Sequence, residues 1–319
     1  MSSDTKKLLR YTIMRPPETL GLERESKRVV TGGHMQYERY IDMTSTEPRF
    51  VKQHHANAFT DARKEQHSRE YLEKEYHMYQ HLAEHAFQAI PFDVMFEHAA
   101  LSMEAFRPED NWQWHAPNGD QRVQYIDDIL ATLHSLESIA LPPDLYDSEK
   151  PSSISHIEEG WEALEKYSVD DISRHILQGA SLARVDFRPV FHDFAEAIPS
   201  LISTWRDAII PESPSVFSHH DARQANIAWH PEHGVRVVDW SWAGYGLERA
   251  DTTTFLIDLH KSGVDISSYM NNYSNSTHTL LQAGFLLGHS LWPASPSSKT
   301  VRAHQLISAA SAFDIWRNA

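Results

Sequence analysis

Between Phe217 and Trp240 the chain reads Phe217-Ser218-His219-His220-Asp221-Ala222-Arg223-Gln224-Ala225-Asn226-Ile227-Ala228-Trp229, then a His230-Pro231-Glu232-His233-Gly234 turn, then Val235-Arg236-Val237-Val238-Asp239-Trp240. The skeleton is H-x-D-x-x-x-x-N, a hairpin, and an apolar strand ending in an aspartate. A loop carboxylate can accept the proton of an attacking hydroxyl. An amide five residues on and a second carboxylate at a strand end offer hard oxygen donors to a small divalent cation such as magnesium. Phosphoryl transfer from a nucleotide asks for that set and for little covalent chemistry from the protein. Three fixed residue types at about one in twenty each would match a chain of this length roughly 0.04 times by chance. The competing reading makes Asp221 and Asn226 hairpin turn formers and Asp239 a helix cap, roles these residue types often fill.

Composition narrows the field further. The 319 residues carry 44 acidic and 29 basic side chains, a formal net charge of −15 that would repel a phosphate backbone, and no local basic patch offsets it. Nucleic acid is therefore not an expected partner. The absence of cysteine removes disulfides, thiolate metal sites and cysteine nucleophiles, leaving oxygen and imidazole as metal ligands. No run of 18 apolar residues occurs, and the N-terminus leads into no signal-like apolar segment, so a soluble cytoplasmic protein without a membrane partner is expected.

The elements that must position the loop fall into two groups. Val29-Val30, Thr31-Gly32-Gly33 and Met35 to Ile41 read as two strands around a glycine turn, and Arg49 to Gln53 as a third, with Phe50 and Lys52 on one face. Arg69 to Phe87 reads as a helix burying Leu72, Tyr76, Tyr79, Ala83 and Ala86. Phe92 to Phe96 and Ala100 to Phe106 follow as apolar segments, and Pro108 opens a linker. Ile126, Ile129, Leu130, Leu133 and Leu136 mark a helix that stops before Pro142-Pro143, and a polar stretch to Ser155 reads as loop. Helical patterns then dominate 156–210 and everything beyond Ala250. A division into residues 1–104 and 105–319 is expected.

The stretch from Val216 to Asp258 resembles the aminoglycoside phosphotransferase family, small-molecule kinases with a protein-kinase-like fold. The family pattern H-G-D-x-x-x-x-N, hairpin, I-D-W-x-x-A-G-x-G and a downstream Asp is met by His219-His220-Asp221 to Asn226, Val238-Asp239-Trp240-Ser241-Trp242-Ala243-Gly244-Tyr245-Gly246, and Asp251. The resemblance implies an α+β, two-lobed fold: a small N-terminal antiparallel-sheet lobe with one long helix, and a larger, mainly helical C-terminal lobe. It implies a catalytic base at Asp221, magnesium ligands at Asn226 and Asp239, and His219 bracing the loop, with Asp251 a structural or loop-bracing acid. His220 replaces a small residue and Arg223-Gln224-Ala225 replace His-Pro-Gly. Arg223 stands two residues after the base, where it either approaches the transferred phosphate or pairs with a carboxylate.

By the same resemblance, Lys52 contacts nucleotide phosphates with Glu75 as its ion-pair partner, although alone they read as an exposed strand lysine and a surface acid. Gly32 and Gly33 would approach the phosphates, and Met103, Glu104 and Phe106 would form the hinge that meets the base. His134 would take a packing role. The implied activity moves the γ-phosphate of ATP, or GTP, with Mg2+ to a hydroxyl of a small molecule. Acids at Glu158, Glu159, Glu162, Asp258 and Asp265 could favour an amine-bearing acceptor such as an aminoglycoside, amino sugar or amino alcohol, although each taken singly reads better as part of a solvated helix face. The alternative is a nucleotide-binding pseudokinase serving as regulator or scaffold. A protein kinase is disfavoured because Asp239-Trp240 stands where D-F-G is expected and no A-P-E follows. Oligomeric state is not legible in the chain. Of the 21 histidines, His77, His81 and His85 recur at metal-ligand spacing, but about 100° per residue turns them away from the helix's apolar face.

Overall fold

The structure is a computed structural model that describes residues 26–30, 37–44, 46–54, 62–142, 156–207, 216–293 and 299–319. In chain order the strands are β1 (Lys27–Val29), β2 (Tyr37–Asp42), β3 (Arg49–His54), β4 (Met95–Glu97), β5 (Ala100–Glu104), β6 (Val216–Ser218), β7 (Ile227–His230), β8 (Gly234–Val237) and β9 (Gly244–Gly246). The longer helices are α1 (Ala62–Glu84), α2 (Gln121–Leu136), α3 (Val169–Gly179), α4 (Arg188–Arg206), α5 (Ala250–Lys261), α6 (Ser276–Ser290) and α7 (Lys299–Asn318). Thr31, Gly32, Gly33 and Met35, together with most of the expected polar loop before Ser155, lie outside the described residues.

Two compact units result. The sheet unit holds the described residues up to Ile139 together with Asp221–Ala243, and the helical unit holds Ala140–His220 with Gly244–Ala319. The sequence reading divides the chain once, at 104/105, whereas this grouping by contacts is discontinuous.

In the sheet unit, β1-β2-β3-β5-β4 form a five-stranded antiparallel sheet among the described residues. Strand alternation puts Tyr37, Arg39 and Ile41 of β2 across from His54, Lys52 and Phe50 of β3, with Leu101 and Met103 of β5 continuing that face. Helix α1 buries Leu72, Glu75, Met78, Tyr79 and Leu82. Ala83 and Ala86 are exposed and Tyr76 is half-buried, which corrects the expected face. The buried stripe includes a charged residue with a partner waiting for it, so apolarity alone places the stripe too far round. Helix α2 buries all of Tyr125, Ile126, Ile129, Leu130, Leu133 and Leu136, while His134 is exposed and faces Glu137 at 3.4 Å, so its expected packing role is not met. The β7–β8 hairpin turns at Gly234, whose φ of +72° suits a residue without Cβ. It is tied to α2 by Trp229 Nε1 donating to Asp128 Oδ2 at 2.8 Å.

The helical unit packs α6 against α7 and α3 against α4. Close approach requires Gly284, where an added Cβ would stand 2.3 Å from the Trp161 ring. Trp161 Nε1 in turn donates to the Leu280 carbonyl at 3.0 Å. Strands β6 and β9 pair in this unit, and α5 is buried from Ala250 through Leu259.

Candidate active site

Lys52 is buried on β3, not exposed, and its ammonium donates to Glu75 Oε2 at 2.7 Å and to Asp239 Oδ1 at 2.9 Å. The two carboxylates arrive from different elements: Glu75 from the buried stripe of α1, Asp239 from the end of the β8 strand. Burial disfavours the Lys52 charge, but Asp239 and Glu75 outweigh it and hold the pKa above its ordinary value. Burial pushes the Glu75 carboxyl up, with Lys52 opposing that push. Asp239 has φ 67° and ψ 58°, a left-handed conformation that aspartate tolerates better than most residues, and this turns the chain sharply after β8. Tyr79, one turn along α1 from Glu75, lies 3.3 Å from Glu75 Oε1 and accepts the Asp239 backbone N–H at 3.3 Å. Sequence reading took Tyr79 as core only. Its four-residue offset from a charged Glu75 was the available signal.

Asp221, Arg223 and Asn226 also come together in the sheet unit. Asn226 Nδ2 donates to the Asp221 carbonyl at 2.9 Å and to Asp221 Oδ2 at 2.8 Å, which fixes the loop between them. Arg223 grips Asp221 with both arms of its guanidinium, Nε to Oδ1 at 2.5 Å and NH2 to Oδ2 at 2.7 Å. Of the two expected placements for Arg223, the carboxylate pair is the one present. The Gln224 side chain accepts the Ala116 N–H at 2.9 Å and anchors the loop from its other side. The Val238 N–H donates to the Asn226 carbonyl at 2.9 Å, extending the β7–β8 ladder so that Asn226 stands beside the residue preceding Asp239.

That set fits a magnesium ion. With its amide nitrogen turned to Asp221, Asn226 keeps its oxygen as the remaining donor, and Asp239 adds a carboxylate whose side chain is 35% exposed. Few protein oxygens with room for water is what magnesium prefers. The histidine ladder does not compete with it. His77 and His85 are exposed, and no group of three or more His, Cys, Asp or Glu suited to a metal ion occurs among the described residues. His230 serves its turn, with Nδ1 accepting the N–H groups of Glu232 and His233.

In the helical unit, His219 is fully buried, and the loop brace is the Asp251 carboxylate. It accepts from the His219 N–H at 2.6 Å, the His220 N–H at 2.9 Å and Ser218 Oγ at 2.9 Å. Burial raises the Asp251 pKa, opposed by His219 and those donors. Its position on the first turn of α5 adds the favourable end of the helix dipole.

Of the hinge residues, Met103 is buried with its sulfur 3.8 Å from the Tyr79 hydroxyl, and Glu104 closes β5. Phe106 packs on Trp112 at 4.6 Å, and its carbonyl accepts Trp114 Nε1 at 2.9 Å, so that carbonyl already has a donor. Two expected acceptor acids are otherwise engaged. Asp258 is buried and paired with Lys261, and Asp265 accepts from the backbone and hydroxyl of Ser267.

The class of protein now follows from comparison. The phosphotransferase enzyme family (APH) profile matches residues 37–270, and the chain belongs to that family. It is accordingly a small-molecule phosphotransferase with a hydroxyl acceptor, and nothing favours a scaffold without activity. Its α+β fold is the protein-kinase-like one, shared with solved structures at low identity. Choline kinase LicA from Streptococcus pneumoniae is 12% identical, with a TM-score of 0.51 over 97% of this chain and 99% of that one. Spectinomycin phosphotransferase APH(9)-Ia, solved with ADP and spectinomycin, is 12% identical, with a TM-score of 0.55 over 91% and 92%. A microcompartment-associated aminopropanol kinase is 14% identical, with a TM-score of 0.50 over 89% and 90%. No curated protein sequence matches significantly. Among the described residues no helix is long and apolar enough to cross a membrane.

Proposed function

We propose that the chain transfers the γ-phosphoryl group of ATP, or of GTP, to the hydroxyl of a small amine-bearing alcohol. The observation that carries this reading is the Lys52 ammonium held between Glu75 and Asp239 in the unit that also presents Asp221 and Asn226. Lys52, fixed by Glu75, binds the phosphates, and the Met103–Phe106 segment meets the base. Asn226 and Asp239 would hold magnesium, which when bound would supply charge neutralisation on the phosphates. Asp221 orients the acceptor hydroxyl and takes its proton. Arg223 takes one lone pair on each Asp221 oxygen and Asn226 a second on Oδ2, so the hydroxyl is received at Oδ1, and the guanidinium, two residues from the base, can follow the transferred phosphoryl group. His219, with Asp251, keeps the loop backbone in place.

Two facts support an amine on the acceptor. The net charge of −15 attracts cations, and the choline and aminopropanol kinases of like fold are named for amine-bearing alcohols. ADP release should be followed with magnesium and ATP across a panel of amino alcohols, aminoglycosides, neutral sugars and hydroxy acids, for wild type and Asp221→Asn. Turnover confined to amine-bearing members, and lost by at least about a hundredfold in the variant, is expected. Preference for neutral sugars would sink the acceptor class. An Asp221→Asn protein as fast as wild type would sink the mechanism.

A further inference from the structure

Strand β2 carries a second cation that no part of the family pattern quoted above includes. Arg39 is the direct cross-strand partner of Lys52, so alternation places both side chains on one face of the sheet. They flank one ring. Lys52 Nζ is 5.0 Å and the Arg39 guanidinium carbon 5.2 Å from the centre of Tyr37. That ring is itself pinned by its hydroxyl donating to the Ser68 carbonyl at 2.8 Å. Arg39 NH1 donates to the Tyr37 carbonyl at 3.3 Å, which holds the guanidinium close to its own strand.

Arg39 is half-buried and sits in the field of the same groups as Lys52. Burial lowers its pKa, with Asp239, Glu75 and Tyr37 pulling the other way, and guanidinium remains charged at any ordinary pH. The local charge count is then two cations, Lys52 and Arg39, against two carboxylates, Glu75 and Asp239. Without Arg39 the cluster would carry a net negative charge, because Lys52 is shared between two acids. With it the cluster is neutral before the phosphates arrive, and a planar donor fork lies beside the point charge of Lys52.

We propose that Arg39 is a second phosphate-binding cation of this site, contacting the nucleotide polyphosphate from β2 as Lys52 does from β3. This rests on the reading that the sheet unit binds a nucleotide. A residue that only balanced the two carboxylates would act through its charge alone, so Arg39→Lys would keep the wild-type ratio of ADP to adenosine affinity, whereas a donor fork in contact with the phosphates is lost in that variant.

Calorimetric titration of the full chain with ADP, AMP and adenosine, with and without magnesium, separates these cases for wild type, Arg39→Gln and Arg39→Lys. Arg39→Gln should weaken ADP about tenfold or more, AMP less, and adenosine not at all. Arg39→Lys, which keeps charge but loses the fork, should fall between. Circular dichroism and the adenosine affinity report whether each variant is folded. If Arg39→Gln misfolds, the ratio of ADP to adenosine affinity in Arg39→Lys decides, a fall of about threefold being expected. An unchanged ratio overturns the proposal, as does an equal loss for ADP and adenosine. Wild-type protein that binds no ADP would instead overturn the nucleotide reading, and the proposal with it.

Discussion

Replacing Lys52 by methionine would remove the ammonium bonded to both Glu75 and Asp239 while keeping its length and stem. The two carboxylates are not equally affected. The Asp239 side chain is 35% exposed and can turn to water, but the Glu75 side chain is 2% exposed and cannot. The cost therefore falls mainly on one stranded buried acid. Breaking a buried pair from one side costs about 3–5 kcal/mol, and the lower end is expected because Arg39 lies in the same field. That corresponds to a fall of roughly 10 °C in Tm. A raised folded-state pKa means that the associated stability is present below the unfolded pKa and is lost as pH rises through the folded one. Glu75 is already raised by burial, and losing Lys52 raises it further, so Lys52→Met should be closer to wild type near pH 5 than near pH 8. Adding Glu75→Leu removes the stranded acid and should restore stability to within about 1 kcal/mol of wild type, yet leave the protein unable to bind ADP. Thermal melts followed by circular dichroism at both pH values, with calorimetric ADP titration, measure all of this. A single variant within about 1 kcal/mol of wild type near pH 8 would refute the reasoning, as would a double variant no more stable than the single.

Other variants probe the remaining parts. Asp251→Ala strands three donors, Ser218 Oγ and the His219 and His220 N–H groups, and should destabilise by about 3 kcal/mol in urea unfolding. Arg223→Gln should leave the fold intact and lower kcat by about tenfold or more, with little change in nucleotide KM. Tyr79→Phe removes the hydroxyl that receives the Asp239 N–H, and should cost about 1 kcal/mol in urea unfolding along with some kcat. His156 is buried, and burial and then His289 lower its pKa to about 3, so its contribution to stability is complete above about pH 6.5 and declines as pH falls toward 3. Wild type should lose about 2 kcal/mol through this one group between pH 7 and 5, and urea unfolding of His156→Phe should show a shallower decline.

The loop and hairpin were legible because their chemistry fixes residue types at short spacing, and Asp221, Asn226 and Asp239 need no long-range information to be noticed. Lys52 and Glu75 were legible only through the resemblance, since a strand lysine and a helix acid read as surface until the sheet closes over them. Arg39 was not legible at all. Its meaning lies in the β2–β3 register, and two strands read separately from the sequence do not state which of their residues pair. The α1 face was misplaced for a related reason. Ala83 and Ala86 are apolar yet exposed, while Glu75 is charged yet buried, and hydropathy ranks both the wrong way. Asp258 failed similarly, its partner Lys261 being close in sequence but its burial being set by the packing of α5.

The grouping of Asp221–Ala243 with residues that end at Ile139 bears on how the chain can acquire its structure. Strands β7 and β8, the Asp128 partner of Trp229 and the Asp239 partner of Lys52 are joined only after some eighty intervening residues have been made, and those residues belong elsewhere. A chain that ends at residue 139 contains the Glu75 partner of Lys52 but not the Asp239 partner. Completion of the sheet unit waits for Ala243, so the two units cannot be made one after the other in chain order, and a single cut at residue 139 would leave the sheet unit incomplete.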